Sequence, residues 1–414
     1  MGLGNLGMAV LIYIALFILV GKWMRAFRIG VDRLISTMSS QILTVLIVDF
    51  LELFISLAIT GQFRFFFSFL WRYALLFVVQ SVVLVIFVIP MVLIYREIYP
   101  PLHMIEVFGE KENNIEKKMN GIPYKYHIAK SFRYNDPELH LDTLVDEYSG
   151  VLINDVPSDV ENTIIKMCFD KEKRVYIVPK IADIILKSTE SINVMDTPIY
   201  LSRNHGMSFW QRFVKRTMDI VCCSLALLVL SPIFLIVAIA IKINDGGPVF
   251  YKQERVTKNG KHFMILKFRS MIVDAEKDGK PHPAGEKDER ITKIGRIIRA
   301  CRIDELPQLI NILAGDMSIV GPRPERYEHV EIFTKELPEF KYRLKVKGGL
   351  TGYAQVYGKY NTTALDKLKL DLIYITNYSI LLDIQIIFET VKILLQKDRT
   401  EGFSEERAEE MRHG

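Results

Sequence analysis

Long apolar runs that hold few charges crowd the first hundred residues of this chain, at about Met8 to Met24, Gln41 to Thr60 and Phe66 to Tyr95. A bilayer asks for ~18 or more apolar residues in a spanning helix, so these runs exclude a purely soluble protein. The remainder of the 414 residues is too long and too charged for a simple anchor. It could fill roughly two domains of ~150 residues each. Half the residues are hydrophobic, a share that soluble chains also reach, so clustering and not composition carries the argument.

Orientation follows from the basic residues. Lys22 at the end of the first run and Arg25, Arg28 and Arg33 after it make that connector basic, whereas Arg64 alone follows the second. The positive-inside rule places the first connector in the cytoplasm, and everything after Arg96 starts there too. Asp49 and Glu52 fall within the second run. Intramembrane carboxylates are functional candidates by default, but packing or snorkelling at the end of an amphipathic helix is the simpler account.

A fourth run, Ile220 to Ile241, has Lys215 and Arg216 before it, Lys242 after it and Ser231-Pro232 at its centre. Proline deletes a helical donor and clashes with the preceding turn, so a break is expected there. Basic residues at both ends favour a re-entrant helix over residues 216–243 that dips into one leaflet and returns, broken at Ser231 and Pro232. A spanning helix with a proline kink fits the hydropathy equally well.

The net charge of +5 is too mild for a nucleic-acid binder, but suits an anionic membrane surface and phosphate-bearing ligands. Cys168, Cys222, Cys223 and Cys301 show neither zinc nor C-x-x-C spacing, so neither a metal site nor a disulfide framework is expected. No basic region precedes the first run, which argues against a cleaved signal peptide.

From Leu102 to about Ser208 short apolar runs (MIEVFG, GVLIND, RVYIVPK) alternate with amphipathic ones, the pattern of a small α/β layer on a parallel sheet. After the first of these strands comes Phe108-Gly109-Glu110-Lys111. One glycine among charges does not supply the close backbone approach that a pyrophosphate needs, so a structural or regulatory role is expected.

From Gly246 onward the motifs become dense. GPVFYKQERVTKNGKHFMILKFRSM reads as a hairpin turned at Lys258-Asn259-Gly260, with Lys267 and Arg269 on one strand face. Thr292 to Ala300 is an amphipathic helix, and a second short helix is expected from about Asp304, with Pro307 in its first turn and Gly315 past its end. Asp304 and Glu305 at a helix amino terminus read either as an acidic cap or as a carboxylate nucleophile beside a metal-binding carboxylate. Gly321-Pro322-Arg323-Pro324 tips the balance. Two prolines stiffen the chain around one arginine, which suits bidentate phosphate or carboxylate binding.

Taken in order, KRTMDI, Ser231-Pro232, GPVFYKQER, KFRSM, RITKIGR, IDELPQL, GDMSIVGPRPE, LTGYAQVYG and LDLIYI resemble the bacterial sugar transferase family, over about Lys215 to Leu395. These are polyprenyl-phosphate phosphoglycosyl transferases, and the chain looks like their longer members. The resemblance implies a membrane α-helical bundle (residues 1–100, about three helices) and a Rossmann-like α/β domain without a dinucleotide fingerprint (101–208). A mainly α (α+β) catalytic domain (209–400) with the re-entrant helix and a charged tail (401–414) complete the expected layout.

The reaction implied moves a hexose-1-phosphate from a UDP-sugar to polyprenyl (undecaprenyl) phosphate and releases UMP, through a phosphosugar on aspartate. It would open lipid-linked exopolysaccharide, capsule or O-antigen synthesis, at the cytoplasmic face of the bacterial inner membrane. By resemblance Asp304 is the nucleophile and Glu305 helps bind Mg²⁺. Lys267, Arg299, Pro322, Arg323, Pro324 and Asp371 are implied to bind substrate. The expected partners are the UDP-sugar, the lipid phosphate and the bilayer, with no nucleic acid; homo-oligomerisation is left open. Three positions depart from the family pattern: Thr257 where Gly is usual, Gly348 where Pro is usual and Tyr357 where Asn is frequent. UDP-glucose or UDP-galactose is the favoured donor, ahead of an N-acetylhexosamine. Two rivals are a non-catalytic assembly protein that keeps the fold, and a nucleotide-sugar epimerase or reductase using NAD on the middle domain.

Overall fold

The computed structural model describes residues 3–394, apart from Gln62, 110–113, Glu138, 203–205, Asp274, 276–287 and 359–361. The charged tail expected at 401–414 lies outside the described residues. The chain forms two compact units, Met1–Lys180 and Ile181–Gly414, so the boundary expected at residue 208 falls inside the second.

In the first unit, α1 (Leu3–Trp23), α2 (Leu34–Thr60) and α3 (Phe66–Ile98) are each long and apolar enough to cross a membrane. α2 packs against both of the others and buries a polar row that includes Thr44, Asp49, Glu52 and Ser56. Asp49 and Glu52 are each 3% exposed, so they are packed inside the bundle and do not snorkel. In the orientation that satisfies both of its atoms, the Gln80 amide donates to Asp49 at 3.0 Å and accepts from Tyr13 at 3.1 Å.

The rest of this unit is β1 (Leu102–Phe108), α4 (Ile115–Asn120), β2 (Tyr126–Arg133), α5 (Leu141–Glu147), β3 (Gly150–Asn154), α6 (Ser158–Asp170) and β4 (Arg174–Val178). The strands form one parallel sheet in the order β2-β1-β3-β4. Ile115 and Met119 of α4 cover one face with Met104 and Leu152, while Leu144, Ile164 and Cys168 of α5 and α6 cover the other with Ile105 and Ile153. Edge strand β2 buries only Ile128, which is why no apolar run announces it. Gly109 is structural. A Cβ there would lie 1.9 Å from the Asp155 carbonyl oxygen, because the end of β1 runs against the loop after β3.

The second unit opens with α7 (Ile181–Leu186), β5 (Glu190–Val194), β6 (Thr197–Leu201) and α8 (Phe209–Asp245), followed by the antiparallel hairpin of β7 (Phe250–Val256) and β8 (His262–Phe268). Asn259 and Gly260 turn that hairpin with positive φ, as the sequence predicts. Then come α9 (Lys293–Ala300), α10 (Gln308–Ala314), β9 (Ser318–Val320), α11 (Tyr327–Glu336), β10 (Gly349–Thr351), α12 (Tyr353–Tyr357), α13 (Ala364–Thr376) and α14 (Ile380–Leu394). Ile184 of α7 is buried with Phe340, Leu368 and Leu372, which ties this segment to the unit that follows it.

α8 is the fourth helix long and apolar enough to cross a membrane. The helix does not break at Pro232; it runs unbroken for 37 residues. Pro232 has no N–H for the carbonyl of Leu228, and the Ser231 hydroxyl donates to that carbonyl instead at 2.8 Å. Both halves of α8 lie on the same body. Cys223 packs with Phe263, Ile265 and Ile312, while Val237 and Ile241 pack with Phe268 and Ile298. The outward face, with Leu228, Val229, Leu235 and Ile236, is exposed.

Candidate active site

α9 begins at Thr292, whose hydroxyl accepts from the Gly295 N–H at 2.9 Å, and ends where Arg302 takes a φ of 57°. That left-handed residue reverses the chain into a 3-10 turn, Ile303–Glu305, and α10 starts only at Gln308 after Pro307. Asp304 and Glu305 therefore precede the α-helix that was expected to begin with them. Their electrostatics come from neighbouring cations.

Lys267 at the end of β8 donates to Glu305 Oε1 at 3.1 Å, and Arg323 grips both Glu305 oxygens with its guanidinium. Burial pushes the Glu305 carboxyl up, but Arg323 and Lys267 outweigh it and hold the group well below the ordinary carboxylate range. Asp304 is half-buried, and its Oδ1 is covered without a hydrogen-bond partner among the described residues. Burial, and then the Glu305 charge, raises its pKa against the pull of Lys267, Arg299 and Arg302. The two adjacent carboxylates thus differ: Glu305 is a clamped anion, and Asp304 keeps a free oxygen and a raised affinity for a proton.

Arg269, two residues from Lys267, goes elsewhere. It pairs with Asp245 and donates to the Pro248 carbonyl at 2.7 Å, so it locks the end of α8. Arg299 lies close enough to stabilise the Asp304 anion. None of the described residues gives its guanidinium a hydrogen bond or an ion pair.

The Gly321-Pro322-Arg323-Pro324 loop leaves β9, which pairs in parallel with β10. A Cβ on Gly352 would lie 2.1 Å from the Gly321 carbonyl oxygen, so glycine alone lets the two loops touch. Two arginines hold the loop by its carbonyls: Arg255 donates to Pro324 at 3.2 Å and Arg343 to Arg323 at 2.9 Å. Burial among other cations, Arg323 foremost, lowers the Arg255 pKa to about 10. Asp371 is 1% exposed and pairs with Arg343 at 2.8 Å, so it stands behind the loop, one arginine away from Arg323. Pro322 to Glu325 line a small pocket with Val256, Thr257, Arg343 and Gly348.

Four residues that sequence reasoning left unassigned belong to this constellation. Glu325 pairs with Lys367 at 2.6 Å and Arg343 at 3.4 Å. Gln355 accepts from Arg323 at 3.3 Å. Arg255 and Lys215 complete the set. Lys215 of α8 is buried and reaches Asp383 at 2.6 Å and the Val320 carbonyl at 2.9 Å, next to the proline-rich loop. All four lie inside the ordered motifs KRTMDI, GPVFYKQER, GDMSIVGPRPE and LTGYAQVYG, which is the only signal that could have singled them out.

Two of the three departures from the family pattern touch each other. The Gly348 N–H donates to the Thr257 hydroxyl oxygen at 3.0 Å, and that hydroxyl donates to the Asp316 carbonyl at 3.1 Å. Proline at 348 would have no N–H to give and glycine at 257 no oxygen to receive it, so this hydrogen bond needs both of the residues present here. Tyr357 ends α12 with its ring against Tyr353, centroids 4.4 Å apart.

Residues 210–397 match the family model described as bacterial sugar transferase. The chain is 44% identical over 186 residues to the UDP-N-acetylgalactosamine-undecaprenyl-phosphate N-acetylgalactosaminephosphotransferase of Aeromonas hydrophila, covering 44% of each protein. It is 39% identical over 190 residues to a UDP-glucose:undecaprenyl-phosphate glucose-1-phosphate transferase of Caulobacter vibrioides, covering 44% of this chain and 70% of that one. It is 34% identical over 242 residues to the undecaprenyl-phosphate galactose phosphotransferase of Salmonella typhimurium, covering 55% and 50% respectively. The Caulobacter protein apart, the match spans about half the length of these relatives. Matched in order across the hairpin, the carboxylate pair and the proline-rich loop, the chain belongs to the bacterial sugar transferase family.

Proposed function

We propose that this protein transfers a hexose-1-phosphate from a UDP-sugar to undecaprenyl phosphate. The observation that carries the reading is the asymmetric dyad: Glu305 clamped by Lys267 and Arg323, and Asp304 beside it with a covered, unpartnered oxygen. An Asp304 oxygen attacks the sugar-linked phosphorus, the bond to UMP breaks, and UMP leaves with that electron pair. The lipid phosphate then attacks the same phosphorus, forming the diphosphate-linked sugar and freeing Asp304. Both substrates are anions, so Lys267, Arg299 and Arg323 are needed to offset their repulsion of a carboxylate.

Among the described residues no three carboxylate, histidine or cysteine side chains converge as a metal cage. Mg²⁺ needs none, since one or two carboxylates and substrate phosphates suffice, and a carboxylate pair whose Asp304 oxygen has no partner of its own fits that demand. Glu305 would hold the ion, which would supply charge neutralisation at the diphosphate.

The contact of both halves of α8 with one body supports an α8 that stays on the catalytic side of the bilayer although it is unbroken, with the dyad at headgroup level on the cytoplasmic side of the inner membrane. The first unit's sheet would serve as a Rossmann-like module without a nucleotide. The relatives' names include glucose, galactose and N-acetylgalactosamine. We favour glucose or galactose here, at the first step of lipid-linked surface polysaccharide synthesis.

The test is UMP release by purified protein with undecaprenyl phosphate, Mg²⁺ and a panel of UDP-sugars, with mass spectrometry of the protein after donor alone. UMP release and a hexose-phosphate mass on the Asp304 peptide are expected. No UMP from any donor would sink the reading.

A further inference from the structure

Arginine has only donors to offer, so the half of the Gln355 amide that faces Arg323 must be its oxygen, which accepts from Nη1 at 3.3 Å. The amide nitrogen is then the atom left over. It is covered by protein and has no hydrogen-bond partner among the described residues, although the residue as a whole is only half-buried. A buried, unpaired amide donor costs about 1–3 kcal/mol, so a fold that keeps one beside the Glu305, Lys267 and Arg323 cluster leaves that donor to something else.

The surroundings narrow the choice. Gln355 sits on α12, whose Val356 is anchored in the core with Val320, Val346 and Tyr374. Gly352, at the start of α12, packs against the Gly321 carbonyl, so α12 is fixed against the proline-rich loop. The same Arg323 that binds Gln355 also binds Glu305, the neighbour of Asp304. An incoming group at this point must accept a hydrogen bond and must tolerate Lys267 and Arg323, which describes an anionic oxygen better than a neutral one.

We propose that Gln355 is a donor-substrate-binding residue, its amide N–H donating to a diphosphate oxygen of the nucleotide sugar while its carbonyl orients Arg323. This rests on the transferase reading above and names a ligand contact within it. Glutamine does both tasks with one side chain. Glutamate keeps the acceptor for Arg323 but loses the donor, and methionine loses both at similar volume.

UDP serves as the probe, so that the identity of the sugar does not matter. Binding of UDP with Mg²⁺ to the full-length protein is measured calorimetrically for wild type, Gln355→Met and Gln355→Glu, alongside thermal unfolding of each ligand-free protein. Both variants are expected to bind UDP about tenfold more weakly, the size of one lost hydrogen bond to a charged oxygen. The ligand-free Gln355→Met protein should unfold at the wild-type temperature or above, because it no longer buries an unpaired donor. Unchanged UDP affinity in Gln355→Met overturns the proposal, as does an affinity loss confined to Gln355→Glu, which would be charge repulsion. So does a loss that appears only together with lowered thermal stability. Wild-type protein that fails to bind UDP would instead remove the transferase reading on which the proposal rests.

Discussion

Thr257, in the loop after β7, and Gly348, just before β10, meet through a hydrogen bond of 3.0 Å although 91 residues separate them. Gly348 also presses on the proline-rich loop: a Cβ on it would lie 2.6 Å from Cγ of Pro324. The hydroxyl of one residue thus fixes the strand that abuts the arginine-bearing loop. Removing it, as in Thr257→Gly, leaves a buried N–H unpaired and should cost about 1–3 kcal/mol, whereas Thr257→Ser should keep most of the stability. Denaturant titration of the two variants distinguishes these outcomes, and equal losses would show that the hydrogen bond is not the reason.

Asp304→Asn should reduce UMP release by roughly 10⁴-fold or more while leaving the fold intact, since it removes a nucleophile of nearly unchanged shape. Burial and Glu305 raise the pKa of Asp304, so in the wild type the rate should climb with pH through a window above the ordinary aspartate range. A pH–rate profile that is already flat at the ordinary carboxylate pKa would contradict that environment.

Glu325 is held well below the ordinary carboxylate range because Lys367 and Arg343 outweigh its burial. A folded pKa below the unfolded one means that the unfolded chain binds the proton more tightly. Its stabilisation is therefore present above the ordinary glutamate pKa of ~4.3 and fades as pH falls from there toward the folded value. Asp371, raised by burial, acts with the opposite sign, losing stabilisation as pH rises through its own window. Glu325→Gln should destabilise by about 3 kcal/mol at neutral pH, and the gap to wild type should narrow on acidification.

Lys215 and Asp383 form an ion pair whose side chains are 10% and 0% exposed. Lys215→Met strands a buried carboxylate and should cost about 3–5 kcal/mol, while adding Asp383→Leu should recover part of it. Thermal unfolding of the single and double variants measures the coupling, and strictly additive losses would rule it out.

If α8 enters and leaves by one face, single cysteines placed at Ser208 and Asp245 in a background without other thiols should both react with a membrane-impermeant reagent from the same side of sealed vesicles. Labelling from opposite sides would establish a spanning helix. Ser231→Ala leaves the Leu228 carbonyl without its donor in an apolar setting and should lower thermal stability by about 1 kcal/mol.

The sequence by itself determined what depends on local order. Apolar runs located the long helices, Asn259-Gly260 the hairpin turn and Gly315 a helix end, because backbone preference and hydropathy act over a few residues. The ordered motifs named Asp304, Glu305, Lys267 and Arg323, without saying which cation faces which carboxylate. The tertiary structure decided that Lys267 goes to Glu305 while Arg269 goes to Asp245, that Asp371 stands behind the loop, and that α8 runs through Pro232. It also joined Lys215 to Asp383 across 168 residues and Thr257 to Gly348 across 91. Coulomb attraction, desolvation and hydrogen bonding depend on distance in space, and no local period in the chain records which distant residues the fold will bring within 3 Å.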